Sequence, residues 1–355
     1  MTVIRQDDFI DSVADALQFI SYYHPADFVK AVFEAYEREQ NPAAKDAMAQ
    51  ILINSRMCAQ GHRPICQDTG IVTVFLKIGM DVQWDATLSV SDMVNEGVRR
   101  AYTHPDNVLR ASILEDPAGA RRNTKDNTPA VIHMEVVAGD TVDVQVAAKG
   151  GGSENKSKLA MLNPSDSIVD WVVKTVPTMG AGWCPPGMLG IGIGGTAEKA
   201  AVLAKQSLMD PIDIHELRER GPSNRVEELR LEIMEAVNKL GIGAQGLGGL
   251  TTVMDVKILD YPTHAASLPV AMIPNCAATR HAHFVLDGSG PALQTPPDLN
   301  DWPEITQEAN EGVHRVNLDT VTPGEAAQGQ PRSEEHTSEL QSRSELGCRP
   351  LLEKN

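Results

Sequence analysis

Residues 180–195 read GAGWCPPGMLGIGIGG, with seven glycines and two adjacent prolines in a short span. Glycine loses the most backbone freedom on ordering and proline breaks a helix interior, so this run is not an ordinary helix. It reads as a loop of free backbone amides opening toward a helix that begins near Thr196, the arrangement of an anion-binding nest. A second run of the same kind, Lys149-Gly150-Gly151-Gly152-Ser153-Glu154, lies upstream. One such loop alone would be read as a tight turn; two of them beside cysteines point to a small polyanionic ligand. A dinucleotide does not fit, because no GxGxxG sits between a strand and a helix of a short βαβ unit, and the acidic ribose partner is missing.

The segments around these runs set the fold class. Phe9, Val13, Ala16, Leu17 and Ile20, then Val29, Val32, Phe33 and Tyr36, then positions 47–57, recur at helical spacing and predict a helical layer over the first 60 residues. Residues 71–76 (IVTVFL) predict a buried strand, and 91–102, opening with Ser-Asp, predict a helix. AVIHMEVV (130–137) and TVDVQVAA (141–148), joined at Gly139-Asp140, predict a β-hairpin. Helices are expected near 165–175, 196–208 and 224–240, and strands near 251–258, 269–273 and 282–286. The irregular alternation, without a repeat, favours an α+β fold with a helical N-terminal layer, mixed β-sheet segments and Gly-rich loops over a doubly wound sheet.

The boundaries follow from composition. Residues 1–287 read as one domain, and 288–325, rich in Pro, Asp, Asn and Glu, as a connection in which RVNLDTVTPGE (315–325) starts a further element. RSEEHTSELQS (332–342) is polar, aperiodic and resembles a translated adapter oligonucleotide, so 331–355 are expected to be a non-native tail. A formal charge of -17 without a Lys/Arg cluster argues against nucleic acid and anionic membrane as partners. Acids near the N-terminus argue against a secretory signal, and no apolar run approaches the ~20 residues a membrane span requires. Five cysteines, an odd number, read as thiols in a reducing compartment, which predicts a cytoplasmic protein.

Cys66, Cys184 and Cys276 sit in PICQDTG, GWCPPG and PNC, beside residues that disfavour regular structure, whereas Cys58 falls in a helical pattern and reads as a packing residue. Three thiols on turns suggest a metal centre. Structural zinc takes four ligands, often in close pairs, and no CxxC occurs here. The alternative is a 4Fe-4S cluster on three thiolates, which leaves one iron free to polarise a substrate oxygen. Spacing alone leaves open three unrelated buried cysteines. His264, twelve residues before Cys276 in YPTHAASLP, lies in polar, Pro-rich surroundings that suit a carboxylate-binding or proton-moving role. Arg110, Arg121 and Arg122 offer planar forks to carboxylates, or are surface arginines.

These blocks carry a resemblance. PICQDTG, GARRNTKDNTPAVIH, AAKGGGSENKS, WCPPGMLGIGIGG, GIGAQGLGGLTTV and YPTHAASLPVAMIPNCAATRHAHF together resemble the N-terminal domain of class I fumarate hydratases, over residues 5 to 325. Relatives in that family include the α-subunits of two-chain fumarases and L-tartrate dehydratases. RVNLDTVTP resembles the junction into the C-terminal domain of the single-chain enzymes, which implies a fused fumarase, C-terminally truncated here, over a separate α-subunit.

The resemblance implies that Cys66, Cys184 and Cys276 hold a 4Fe-4S cluster. It further implies that Gln67, Asp68, Arg110, Gly152 and His264 contact a small dicarboxylate, with Asp68 and His264 serving catalysis. Asp68 would orient a general base, a threonine of the C-terminal domain. The implied reaction is reversible hydration of fumarate to L-malate, in a protein that dimerises when whole. An incomplete chain is expected to turn over weakly or not at all. Two other readings stand beside it: a sister hydro-lyase of tartrate or mesaconate, and a non-catalytic iron-sulfur protein.

Overall fold

The computed structural model describes residues 2–305; the element expected at 315–325 and the tail at 331–355 lie outside the described residues. The chain opens with β1 (Thr2–Arg5), then α1 (Gln6–Tyr22), α2 (Ala26–Arg38) and α3 (Pro42–Gly61), the layer that the apolar spacing predicts. Asn41 caps α3 by accepting from the amides of Ala43 and Ala44, and Pro42 at the first position has no amide to leave unpaired. Next come β2 (Ile71–Gly79), β3 (Val82–Asp85) and α4 (Val90–Tyr102). The short β4 (Leu114–Glu115) and β5 (Arg122–Asn123) precede β6 (Val131–Val137) and β7 (Val142–Lys149).

The second half contains α5 (Gly151–Glu154), β8 (Lys158–Leu162), α6 (Ile168–Thr175), β9 (Gly187–Gly194) and α7 (Ala197–Ser207). It continues through α8 (Ile214–Arg220), α9 (Arg225–Asn238), β10 (Val253–Tyr261), β11 (Leu268–Asn275) and β12 (His281–Leu286). Two four-stranded mixed sheets result, in the orders β12-β7-β2-β6 and β10-β9-β11-β8, so the fold is α+β as expected. Residues 288–302 fold back: the Ala292 and Gln294 amides donate to Ser12 and Asp15 of α1, and Trp302 is buried. Among the described residues no helix is long and apolar enough to cross a membrane.

Two sequence expectations are corrected. β6 and β7 do not pair with each other, because β2 lies between them, parallel to β6 and antiparallel to β7. The reason is burial: Val72, Val74 and Leu76 of β2 are almost fully enclosed, whereas β6 exposes Val131, Met134 and Val136, so β6 takes the edge. The turn at Gly139-Asp140 wraps around the end of β2 instead of closing a hairpin; Gly79 donates to Thr141 O at 2.9 Å and Asp81 to Gly139 O at 2.9 Å.

The second half of the glycine run is not an open nest but the strand β9. Along it Met188, Gly190 and Gly192 face α7, while Leu189 and Ile191 face the opposite core. A Cβ on Gly192 would stand 1.9 Å from Ala200 O, and one on Gly190 2.1 Å from Ala204 O. The helix backbone therefore rests directly on the strand, and glycine is required by that contact.

Candidate active site

Four loops meet at one end of the paired strands. Ile71 stands opposite Lys149, which sets the loop carrying Cys66–Gly70 beside Lys149–Gly152. Met188 stands opposite Asn275, which sets Cys184–Gly187 beside Cys276. The two pairs of loops also touch: a Cβ on Gly152 would lie 3.2 Å from Gly182 O, and Arg280 donates from Nη1 to Asp68 O at 2.5 Å. The residues that the sequence singles out as Cys66, Gln67, Asp68, Gly152, Cys184 and Cys276 are thus brought to one place.

Asp68 is held as an oriented carboxylate. Its Oδ1 accepts from the Gly70 amide at 3.0 Å and its Oδ2 from the Gly151 amide at 2.7 Å. The turn beneath it is anchored by Tyr102, whose hydroxyl donates to Thr69 O at 2.8 Å, and by Asn127, whose Nδ2 donates to Gly70 O at 3.0 Å. Gly70 adopts φ +87° with its would-be Cβ 2.6 Å from the Ala148 backbone, so only glycine completes this turn. Thr69 Oγ1 donates to Arg110 O, which brings Arg110 to the same turn with an exposed side chain that has no polar partner among the described residues. Gln67 is exposed beside it.

All three loop cysteines are free thiols. Cys184 adopts φ 55°, and its carbonyl accepts from the Ala277 amide at 3.0 Å, which fixes its loop to that of Cys276. Partial burial pushes the Cys184 thiol up to about 11, and Cys276, Cys66 and Asp68 push it further in the same direction. Cys276 and Cys66 both act on Cys184, and Cys276 acts on Cys66, so the three thiols lie within one another's electrostatic reach. Burial raises Cys66 as well; the Asp68 amide and Arg280 oppose that rise and Cys276 adds to it.

Cys58 behaves as a packing residue. It is buried on α3 with its sulfur 3.6 Å from both Asn54 Oδ1 and Pro64 O, and burial pushes its thiol up to about 11; Cys66, but neither of the other two, adds to that.

His264 is not brought to this place. It lies exposed in the loop before β11, whereas Cys276 follows that strand, and eight residues of strand separate them by roughly 25 Å. Its Nδ1 accepts from the Ala266 amide, a local turn that polar, Pro-rich sequence also predicts. Within one chain His264 does not reach a ligand held at the thiols. Arg121 and Arg122 lie exposed on the β4–β5 excursion, with Arg121 turned to Pro117 O.

Three buried polar residues at the site have no obvious sequence signature. Lys149 is buried, donates to Ser153 Oγ at 2.7 Å, and is pulled down to about 8 by burial, while Glu154 and Cys276 oppose that shift. Burial holds His24 down at about 3 and hence neutral; Nε2–H donates to Ala277 O at 3.0 Å and Nδ1 accepts from Ser55, which steadies the Cys276 loop. Arg280 is 4% exposed, with Nε and Nη2 enclosed and unpartnered. Each unsatisfied buried donor of this kind costs on the order of 1–3 kcal/mol or more for a charged group, so an acceptor is missing from the protein alone.

The donor set fits the implied cluster. No three His, Cys, Asp or Glu side chains among the described residues converge as they would around a single ion. Three thiols within one another's electrostatic reach, beside an enclosed guanidinium lacking acceptors, suit a cluster that takes one thiolate at each of three corners. Raised thiols also imply a pH dependence for the metal-free chain. An unfolded cysteine titrates near 9.0, and in the folded chain Cys58 and Cys184 are pushed up to about 11. Their contribution to stability is therefore complete below pH 9 and lost as pH rises toward 11. Denaturation of the metal-free chain at pH 7, 9 and 11 checks this; a Cys58→Ala, Cys184→Ala variant should lose less over that interval than the parent.

An α+β domain gathers three turn cysteines, a doubly held aspartate and glycine amides at one sheet end. Residues 10–285 match the model of the family described as fumarate hydratase (Fumerase). The chain belongs to that family of hydro-lyases. It is 35% identical over 278 residues to a Methanocaldococcus jannaschii protein with the inferred name L(+)-tartrate dehydratase subunit alpha, covering 77% of this chain and 95% of that one. It is 28% identical over 277 residues to the L(+)-tartrate dehydratase subunit alpha of Escherichia coli K12, covering 77% and 89%.

Proposed function

We propose that the chain is the cluster-bearing part of an iron-sulfur hydro-lyase for a four-carbon dicarboxylate, with fumarate and L-malate as the first reading. The observation that carries this is the meeting of the Cys66, Cys184 and Cys276 loops around Asp68, whose carboxylate is held by the Gly70 and Gly151 amides. Cys66, Cys184 and Cys276 would hold a 4Fe-4S cluster, which when bound supplies a Lewis-acidic iron for the substrate's hydroxyl and carboxylate.

The chain's own groups do the remaining work. Exposed Gln67 and Arg110 face solvent at the same turn and would take a substrate carboxylate, Arg110 as a planar fork. Gly152 keeps backbone close to the Cys184 loop, where a side chain would press on Gly182 O. Asp68 would orient the base that removes the carbon-bound proton. That proton is weakly acidic, so charge on the developing enolate-like carboxylate must be stabilised by cations and amides as well. On the resemblance, the base comes from a further domain or subunit. The names of the relatives, each an α subunit, support a partner polypeptide that completes the site, and they favour L(+)-tartrate as the second reading of the substrate. A cytoplasmic location and a homodimer of the whole enzyme complete the proposal.

Anaerobic loading with iron and sulfide, mixing with the complementary domain of a relative, and parallel assays of fumarate hydration and L(+)-tartrate dehydration test it. Faster turnover of fumarate supports the first reading and faster turnover of tartrate the second; no turnover of either removes both. In the active mixture Asp68→Ala should lower turnover about 100-fold, the scale of a misplaced reacting group, with cluster content retained. Equal loss of cluster and turnover would make Asp68 a purely structural residue.

A further inference from the structure

Arg280 permits a step beyond this function that rests on its cluster reading. It follows Cys276 by four residues and directly precedes β12, and its side chain reaches the loop before β2 of the same sheet, where Nη1 donates to Asp68 O at 2.5 Å. Its own carbonyl accepts from the Ala148 amide at 3.1 Å. One residue thereby ties the Cys276 loop to the loops of Cys66 and Lys149. Glycine keeps room around it: a Cβ on Gly150 would stand 3.7 Å from Arg280 Nη2 and 3.3 Å from Asp68 Oδ2.

A guanidinium remains charged and presents five donors in one plane. Here Nε and Nη2 are enclosed without an acceptor, a condition that native proteins avoid. The neighbouring acceptors are already engaged. Both Asp68 carboxylate oxygens take backbone amides, and the Tyr102 hydroxyl is directed to Thr69 O. The Cys66 sulfur lies within the field of this cation. Lys149, a buried cation of the neighbouring loop, differs because it donates to Ser153 and pairs with Glu154.

We propose that Arg280 is a positioning residue that donates Nε–H and Nη2–H to sulfur at the Cys66 side of the cluster, offsetting its negative charge and locking Cys66 and Asp68 into one unit. Thiolate and sulfide sulfur are acceptors, and hydrogen bonds to them tune how tightly a cluster is held and how easily it is reduced. A simple clamp on the Asp68 carbonyl would do neither.

The test uses the full chain loaded anaerobically with iron and sulfide, as parent, Arg280→Gln and Arg280→Lys. Three quantities are read: iron retained against a chelator, cluster reduction potential by EPR-monitored titration, and melting of the metal-free protein. Arg280→Gln should hold iron roughly 10–100-fold less tightly, the usual cost of losing an outer-shell partner, and be reduced at a more negative potential. Arg280→Lys keeps the charge and loses the fork, so its potential should stay near the parent while retention weakens.

Parental retention and potential in Arg280→Gln would overturn the inference, as would a lower metal-free melting temperature combined with a parental potential in the cluster that remains. If Arg280→Gln does not fold, parental retention in Arg280→Lys overturns donation by the fork. A parent that takes up no cluster would sink the proposed function along with this inference, whereas a loaded parent with an unaffected Arg280→Gln sinks this inference alone.

Discussion

Changing any one of Cys66, Cys184 or Cys276 to alanine should abolish the visible absorption of the loaded chain and its turnover in the complemented assay, whereas Cys58→Ala should leave both in place. The contrast follows from placement. The first three stand on loops held to one another through Ala277, Asn275, Gly152 and Arg280. On the proposed function each thiolate would attach one corner of the cluster, and loss of a corner would expose a second iron to water and oxygen. Cys58 is turned toward Asn54 and Pro64, so truncating it removes only a small buried side chain, a cost of about 1–2 kcal/mol in stability with no ligand lost. Iron and sulfide content, absorption and turnover across the four variants check the pattern. Retained cluster in any of the first three, or its loss in Cys58→Ala, contradicts it.

Gly192→Ala should be strongly destabilising. Its Cβ would meet Ala200 O at 1.9 Å and Ala204 N at 2.7 Å, both backbone atoms of α7, so no side chain can rotate away. Overpacking commonly costs about 1–3 kcal/mol, and a clash that moves a whole helix off a buried strand should exceed that range. Against the roughly 5–15 kcal/mol that holds a domain folded, such a change threatens folding itself. Gly221→Ala is the control. Gly221 has φ +78° and open space around its would-be Cβ, so only backbone strain of about 1–2 kcal/mol applies. Urea unfolding of both variants in the metal-free form measures the difference; similar costs would mean that α7 does not rest on β9 as described.

The two glycine contexts show what sequence reading can and cannot reach. The helical layer, the strand at β2 and the later helices were legible because apolar residues repeat at the period of the element. Ser89, not Ser91, caps α4, a shift of the usual size at helix ends. β9 was hidden because its alternation is written in glycine, which carries no hydropathy signal on the face that α7 covers. The apparent hairpin failed because turn chemistry at Gly139-Asp140 says that the chain reverses but not which strand it lands beside; β2, the more apolar strand, took the central place. At the site, the cysteines were visible through their Pro- and Gly-rich surroundings, and Asp68 only through the family resemblance. Arg280, Lys149 and His24 were not, since a buried polar side chain resembles a surface one until its neighbours are known. His264 had the composition of a site residue but lies at the far end of β11 from Cys276.

The central claim is that three thiols from distant loops hold one cluster whose remaining iron meets a dicarboxylate. Mössbauer spectroscopy of the anaerobically loaded chain, mixed with its complementary domain and recorded with and without L-malate or L(+)-tartrate, tests it most directly. The account predicts one iron in each cluster that differs from the other three and shifts when the diacid is added. Four irons that stay unchanged on addition, or iron bound equally well after all three cysteines are removed, would contradict it.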